Sequence, residues 1–195
     1  MICSILLPTR GRPERLKECV RSLASCGSTG EFDVLFAVDD DDMESARAAS
    51  YMSDLLPNFT VFQSPRGRGW HDLNLRYSYL ADQSAAQWVW MMNDDCLVSG
   101  GDWVSLLKNY PTTGFIIHPE FHRLGKSVYQ RDETGAFPIV PNQCWKMFGF
   151  ETIGDPPDKF LNEICRDRGW RTGFLDGIEI SHQRIADDTL PAERL

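Results

Sequence analysis

The chain has 195 residues, a formal net charge of −8, 42% hydrophobic and 25% charged residues, which is the balance of one folded core and excludes disorder and membrane embedding. No apolar run approaches the roughly 18 residues a membrane span needs. The opening ICSILLP lacks the basic region and cleavage site of a signal peptide, so a single cytoplasmic domain is the expectation. The negative charge repels nucleic acid on average, although Arg10, Arg12 and Arg15 form one local basic patch and Arg66 and Arg68 another. The cysteines Cys3, Cys19, Cys26, Cys96, Cys144 and Cys165 are scattered without a C-x-x-C pair and read as reduced core thiols.

Taken in chain order, Ile2 to Leu7 is a nearly continuous apolar run, the pattern of a parallel strand covered on both faces. After the loop PTRGRP, Pro13 suits the first turn of a helix whose stripe Leu16, Cys19, Val20 and Leu23 has i, i+3, i+4, i+7 spacing. Phe32 to Val38 predicts a second strand, Asp39 to Asp42 an acidic loop, Met43 to Leu56 a helix and Thr60 to Phe62 a short third strand. Beyond QSPRGRGW, a helix from about His71 to Gln83 precedes the strand Trp88 to Met92. Phe115 to Ile117 is a further candidate strand, Phe121 to Val140 is irregular with room for a hairpin, Lys159 to Arg168 is helical, and Leu175 to Ile180 is a last strand.

Alternating strands and helices predict an α/β domain with a mostly parallel central sheet flanked by helices. Ligands of such sheets bind at the carboxyl ends of the strands, which places PTRGR, DDDD and NDD on one rim. The run WVWMM ends in Asn93, Asp94 and Asp95, and adjacent carboxylates at the end of a buried strand need a positive partner. Oxygen ligands at a strand end are what a hard divalent cation requires, whereas the bland alternative is a solvated turn. The run Asp39 to Asp42 has the same bland alternative. His118 and His122 have the spacing of a zinc-binding helix, but Pro119 argues against a helix there. PRGRG lacks the Gly-Lys-Ser/Thr of a phosphate loop, and no dinucleotide fingerprint is present. Trp70, beside this basic loop, is a candidate ligand contact.

Over nearly its whole length the chain resembles the family-two-like glycosyltransferases of the GT-A (nucleotide-diphospho-sugar transferase) fold. ISILLPTRGRPERLKECVRSL resembles their opening strand, nucleotide-binding loop and first helix, and VLFAVDDDD stands where they have a strand ending in Asp-Asp-Gly-Ser. The segment ending in WMMNDD resembles the one that carries their Asp-x-Asp metal motif. PDKFLNEICRDRGWRT keeps the spacing of their acceptor motif, with Asp158 eleven residues before Gly169, and His182 falls where many of them place a metal-bound histidine. Asn93 departs from the metal motif, Pro157 from the Glu of the acceptor motif, and Asp41 and Asp42 from the Gly-Ser of the second loop.

The resemblance implies a single GT-A domain, with residues 1–100 binding the nucleotide sugar and 101–195 the acceptor. It implies transfer of a sugar, with inversion, from a nucleoside-diphosphate sugar to an acceptor hydroxyl, UDP being preferred over GDP or CDP. Asp95 and His182 would hold Mn²⁺ or Mg²⁺, with Asp94 on the ribose or as a second ligand. Pro8, Thr9 and Arg10 would hold the nucleotide, Asp39 or Asp40 the base, and Arg68 or Arg76 phosphate or neighbouring carboxylates. Asp158 would be the general base. A saccharide or other small hydroxyl compound is the expected acceptor, in a pocket formed largely by residues 111–149. Three alternatives are a phage-type enzyme acting on hydroxymethylated DNA, a non-catalytic nucleotide-sugar-binding module, and a nucleotidyltransferase, which would need a glycine-rich opening loop with a following lysine.

Overall fold

The structure, a computed structural model, describes residues 1–68, 72–123, 136–148 and 157–183. The N-terminal apolar run forms β1 (Cys3–Thr9), and α1 (Pro13–Ser25) follows with Pro at its start, where a missing N–H costs nothing. The predicted stripe Leu16, Cys19, Val20 and Leu23 is fully buried. Each of its larger aliphatic side chains contributes roughly 1.5–3 kcal/mol by leaving water. β2 (Phe32–Asp39), α2 (Met43–Ser50), β3 (Phe59–Ser64), α3 (Leu73–Gln83) and β4 (Trp88–Met91) complete the first half.

The remaining elements are β5 (Cys96–Gly100), α4 (Trp103–Leu107), β6 (Phe115–Arg123), β7 (Ile139–Pro141), α5 (Asn142–Phe148), α6 (Pro157–Asp167) and β8 (Arg171–His182). The eight strands of the described residues join one sheet in the order β3-β2-β1-β4-β7-β6-β8-β5. Pairings β1–β2, β1–β4, β2–β3 and β6–β8 are parallel, and β4–β7, β6–β7 and β5–β8 are antiparallel. Successive residues of β1 and β2 point to opposite faces, so Ile5, Leu7, Val34 and Phe36 pack with α1, α2 and α4, while Leu6, Leu35 and Ala37 pack with α3, α5 and α6. A three-layer α/β/α arrangement results. Trp103 of α4 fills its layer against Phe32 and Trp90, with ring centroids 5.0 Å from each.

Several predicted elements differ. The helix expected over 43–56 ends at Ser50, whose hydroxyl bonds back to the Ala46 carbonyl at 2.8 Å, and the chain tightens into a 3₁₀ turn, Tyr51–Asp54, before Pro57. β5, α4 and α5 were not anticipated, and β6 and β8 are longer than the runs expected at 115–117 and 175–180. β6 pairs with β7 at Ile117↔Ile139, and most of the stretch 121–140 in which a hairpin was expected, residues 124–135, lies outside the described residues.

The His118 and His122 spacing falls on strand β6, so no zinc-binding helix exists there. His118 is buried beside Phe174, and burial pushes its pKa down to about 4 against the opposing hydrogen bonds with Asn162 and Ala136. The unfolded chain therefore takes this proton first as the pH falls. His118 stabilisation should be complete above pH 6.5 and lost on descent towards about pH 4, a change on the order of 3 kcal/mol. Urea midpoints across this window should fall less steeply for His118→Phe than for the wild type, and equal slopes would contradict the assignment.

Candidate active site

Because β1, β2 and β4 run parallel, their carboxyl ends bring three loops to one rim. Thr9, the last residue of β1, donates its hydroxyl to Asp94 Oδ2 at 2.7 Å, although 85 positions separate them. Asp94 is 2% exposed, and Arg12 Nη1 lies 3.4 Å from its other oxygen, so its charge is not left bare in the core. The same Arg12 nitrogen is 3.2 Å from Asp95 Oδ2, making Arg12 a bridge across the acidic pair. Above them the buried Tyr77 hydroxyl donates to the Met92 carbonyl at 2.9 Å and meets the Asn93 side-chain amide at 2.8 Å, fixing the strand end that presents both carboxylates.

His182 reaches this place through sheet register. β5 begins immediately after Asp95 and pairs antiparallel with β8, so Cys96 stands opposite His182, the last residue of β8. His182 Nε2 lies 3.1 Å from Asp95 Oδ1, and the Gln183 amide donates to the Asp95 carbonyl at 2.8 Å. The imidazole packs beside Phe121 and Phe137, with ring centroids 6.2 and 5.7 Å away, and the two phenyl rings are 5.7 Å from each other. Burial pushes the Asp95 carboxyl up, but hydrogen bonding and charge from His182, together with Arg12, hold it below the ordinary carboxylate range. Donor atoms of Asp95, Cys96 and His182 all lie within 4.8 Å of one another, a spacing and a donor set that fit a divalent cation.

The four aspartates after β2 have four different settings. Asp39 is buried and accepts three hydrogen bonds: Arg10 donates to Oδ2 at 2.7 Å, while Arg76 at 2.6 Å and the Gly67 amide at 3.4 Å donate to Oδ1. Asp40 is exposed, its backbone amide donates to the Ser64 carbonyl at 2.9 Å, and among the described residues its carboxylate has no partner. Asp41 takes both ends of the Arg10 guanidinium, one of them at 3.0 Å, and Arg66 approaches it at 3.7 Å. Asp42 caps α2 by accepting from the Ser45 amide at 3.1 Å, and it also accepts from the Gly11 amide at 2.6 Å, tying the first rim loop to the second.

Thus the rim brings together Thr9 with Asp94, Arg10 and Arg76 with Asp39, and Asp95 with His182, while Pro8 sits beside Ala37 in the β1–β2 register. Arg68 is engaged elsewhere, with Nε and Nη2 on Asp72 Oδ1 at 3.0 and 2.8 Å. Asp158 is the second residue of α6 and so lies within the helix, not in the capping position before it. Its Oδ1 accepts from the Lys159 amide at 2.9 Å, and burial pushes its carboxyl above the usual range. The Tyr77 phenol is raised by burial and then by the charges of Cys96, Asp158, Asp94 and Asp95, so Asp158 is within electrostatic range of the group that anchors the acidic pair. Trp70 lies outside the described residues.

Sequence reasoning did not single out Arg12 as the bridge or Cys96 as a neighbour of the Asp95–His182 pair. Cys96 carries a local signal, its place directly after the two aspartates; the Arg12 contact, 83 residues away from Asp95, carries none.

In an open α/β sheet the ligand site lies at the carboxyl ends of the strands, where this acidic rim stands. Residues 4–160 match Glycosyl transferase family 2, and the chain belongs to that family. No curated protein sequence matches it. Among solved structures it is similar to S. aureus TarS, with a TM-score of 0.76 and 14% identity over 94% of this chain and 37% of that one. It is similar to S. aureus TarS 1-349 in complex with UDP-GlcNAc, with a TM-score of 0.75 and 14% identity over 97% of this chain and 60% of that one. The mannosyltransferase PcManGT from Pyrobaculum calidifontis, in complex with GDP-Man and Mn²⁺, gives a TM-score of 0.72 and 12% identity over 96% of this chain and 58% of that one. The shared feature at these identities is the GT-A fold, and the chain spans at most about three-fifths of these relatives' length. No helix among the described residues is long and apolar enough to cross a membrane.

Proposed function

We propose that the protein transfers a glycosyl group from a nucleoside-diphosphate sugar, with UDP preferred, to an acceptor hydroxyl with inversion at the anomeric carbon. The observation that carries this reading is the meeting of Asp95 with His182, 3.1 Å apart, beside the Thr9–Asp94 pair on the rim of a family-two sheet. A divalent cation, Mn²⁺ or Mg²⁺, held by Asp95 and His182 would stabilise negative charge on the departing nucleoside diphosphate as a Lewis acid. Asp94, whose Oδ2 accepts from Thr9, would meet the ribose hydroxyls or serve as a second ligand of the cation. Pro8, Thr9 and Arg10 line the nucleotide side of the rim. Of the two aspartates proposed for the base, Asp40 is the better acceptor for a ring N–H, because it is exposed, whereas Asp39 is buried and already accepts from Arg10, Arg76 and Gly67. Arg76 then acts on the site through Asp39, and Arg68, which is exposed, would have to exchange Asp72 for phosphate.

Asp158 is the proposed base. The acceptor oxygen attacks the anomeric carbon from the face opposite the diphosphate, the bond to the diphosphate oxygen breaks, and the acceptor proton passes to the Asp158 carboxylate. In this reading residues 1–100 bind the donor and 101–195 the acceptor, a saccharide or other small hydroxyl compound. A cytoplasmic site of action is part of the same proposal. Transfer to hydroxymethylated DNA is supported less well, because Arg10, Arg12, Arg66 and Arg68 are each paired with aspartate and offer little uncompensated charge to phosphates.

The direct test is a panel of UDP- and GDP-sugars with simple saccharide acceptors and Mn²⁺, read as release of nucleoside diphosphate. Turnover of a UDP-sugar is expected. Failure to turn over any donor, with or without acceptor, would contradict the proposal.

A further inference from the structure

We propose that the Cys96 thiol is a third ligand of the cation site, making it a mixed carboxylate, imidazole and thiolate centre that selects Zn²⁺ and Co²⁺ over Mn²⁺ and Mg²⁺. This rests on the cation reading of Asp95 and His182 and extends it to a residue outside that pair. Cys96 follows Asp95 in the chain and faces His182 in the β5–β8 register, so local sequence and sheet pairing together deliver all three side chains to one point. Its Sγ lies 3.9 Å from Asp95 Oδ1, the oxygen that His182 Nε2 approaches to 3.1 Å, and the three donors fall within 4.8 Å of one another. Two ligand atoms on one tetrahedral ion, with bonds of about 2.0–2.3 Å, sit about 3.3–3.8 Å apart, so the set closes on an ion with shifts of about 1 Å or less.

The surroundings favour a tightly held ion. Cys96 is fully buried, and the rings of Phe121 and Phe137 pack beside the imidazole. Hard Mg²⁺ prefers oxygen donors and retains water, whereas a sulfur donor shifts preference to the softer end of the divalent series. Zn²⁺ would thus compete for the place proposed for Mn²⁺.

Co²⁺ titration of the purified protein, followed by absorption spectroscopy, tests this without any variant. The expected result is a sulfur-to-cobalt charge-transfer band in the near ultraviolet that Zn²⁺ abolishes. The band should be absent from Cys96→Ser, and in that variant the ratio of Zn²⁺ to Mn²⁺ affinity should fall about tenfold or more. Bound Co²⁺ with visible bands but no charge-transfer band in the wild type overturns the Cys96 assignment and leaves the Asp95–His182 cation site standing. A charge-transfer band that survives in Cys96→Ser also overturns it. No Co²⁺ binding at all overturns both. Should Cys96→Ser fail to fold, the wild-type spectrum alone decides.

Discussion

Asp95→Asn should lose Mn²⁺-dependent binding of UDP, with cation affinity falling by more than about 100-fold. Losing a group that merely orients a ligand already costs 10–100-fold, and here a ligand itself goes. Asparagine keeps the shape and a carbonyl oxygen but removes the charge that faces Arg12 at 3.2 Å and His182 at 3.1 Å. Stability should also respond to pH. The folded carboxyl of Asp95 titrates below its unfolded value, so its contribution is present above the ordinary carboxylate pKa of about 3.9 and is lost as the pH falls through the lower folded value. The wild type should therefore be more stable than Asp95→Asn at pH 7, and the difference should disappear in strong acid. Isothermal titration with Mn²⁺ and UDP, together with urea midpoints at several pH values, checks both parts. Unchanged Mn²⁺ affinity in the variant would remove Asp95 from the cation site.

Asp158→Asn should lower turnover by roughly 10²–10⁴-fold while leaving cation-dependent nucleotide binding intact. Burial raises this carboxyl, so the folded state holds its proton more tightly than the unfolded chain does. The corresponding stabilisation is present below the unfolded pKa and is lost as the pH rises through the folded one, so at pH 7 the ionised carboxylate is a strain on the fold. The asparagine variant is expected to be at least as stable as the wild type at neutral pH and still inactive. The acid limb of the wild-type pH–rate profile should lie above the ordinary carboxylate pKa of about 3.9. A side chain that only supports the first turn of α6 would give near-wild-type turnover in Asp158→Asn, because asparagine keeps the acceptor that meets the Lys159 amide. That outcome would redirect attention to Asp176 on β8, or to Glu151 and Asp155, which lie outside the described residues.

The first half of the fold was legible because its elements are long and their periods clean. The stripe Leu16, Cys19, Val20 and Leu23 announces α1, and the nearly continuous apolar runs of β1, β2 and β4 announce strands buried on both faces. The second half hid for physical reasons. Helix α4 is five residues long, too short for a helical period to show, and β5 runs CLVSG into a second glycine, which reads as a turn. Strand β8 contains Gly173 and Gly177, which break an apolar pattern that in fact extends over twelve residues. Gly100 and Gly177 are where a side chain would not fit or would be strained: a Cβ on Gly100 would sit 2.0 Å from the Gly177 carbonyl oxygen, and Gly177 has φ +76°.

The candidate site divides in the same way. Strand-end carboxylates can be read one loop at a time, which is why Asp39, Asp40, Asp94 and Asp95 were accessible to inspection. Their charge partners depend on pairings across long stretches of chain. Thr9 finds Asp94 through the β1–β4 pairing, and Cys96 meets His182 through the β5–β8 register. The difference between the engaged Asp39 and the exposed Asp40 is likewise tertiary, set by Arg10 from the loop after β1 and Arg76 from α3 converging on Asp39.

The central claim is that the rim binds a nucleoside diphosphate through a divalent cation, and the most direct measurement is thermal unfolding with UDP in Mn²⁺ and in chelator. A ligand that binds only the folded protein stabilises it by about 2.7 kcal/mol at 100 times its Kd. The account predicts a clear rise in Tm with UDP and Mn²⁺ together, a smaller one or none with GDP or CDP, and none with UDP in chelator, where the rim carboxylates repel the diphosphate. An equal rise with and without the cation would contradict it.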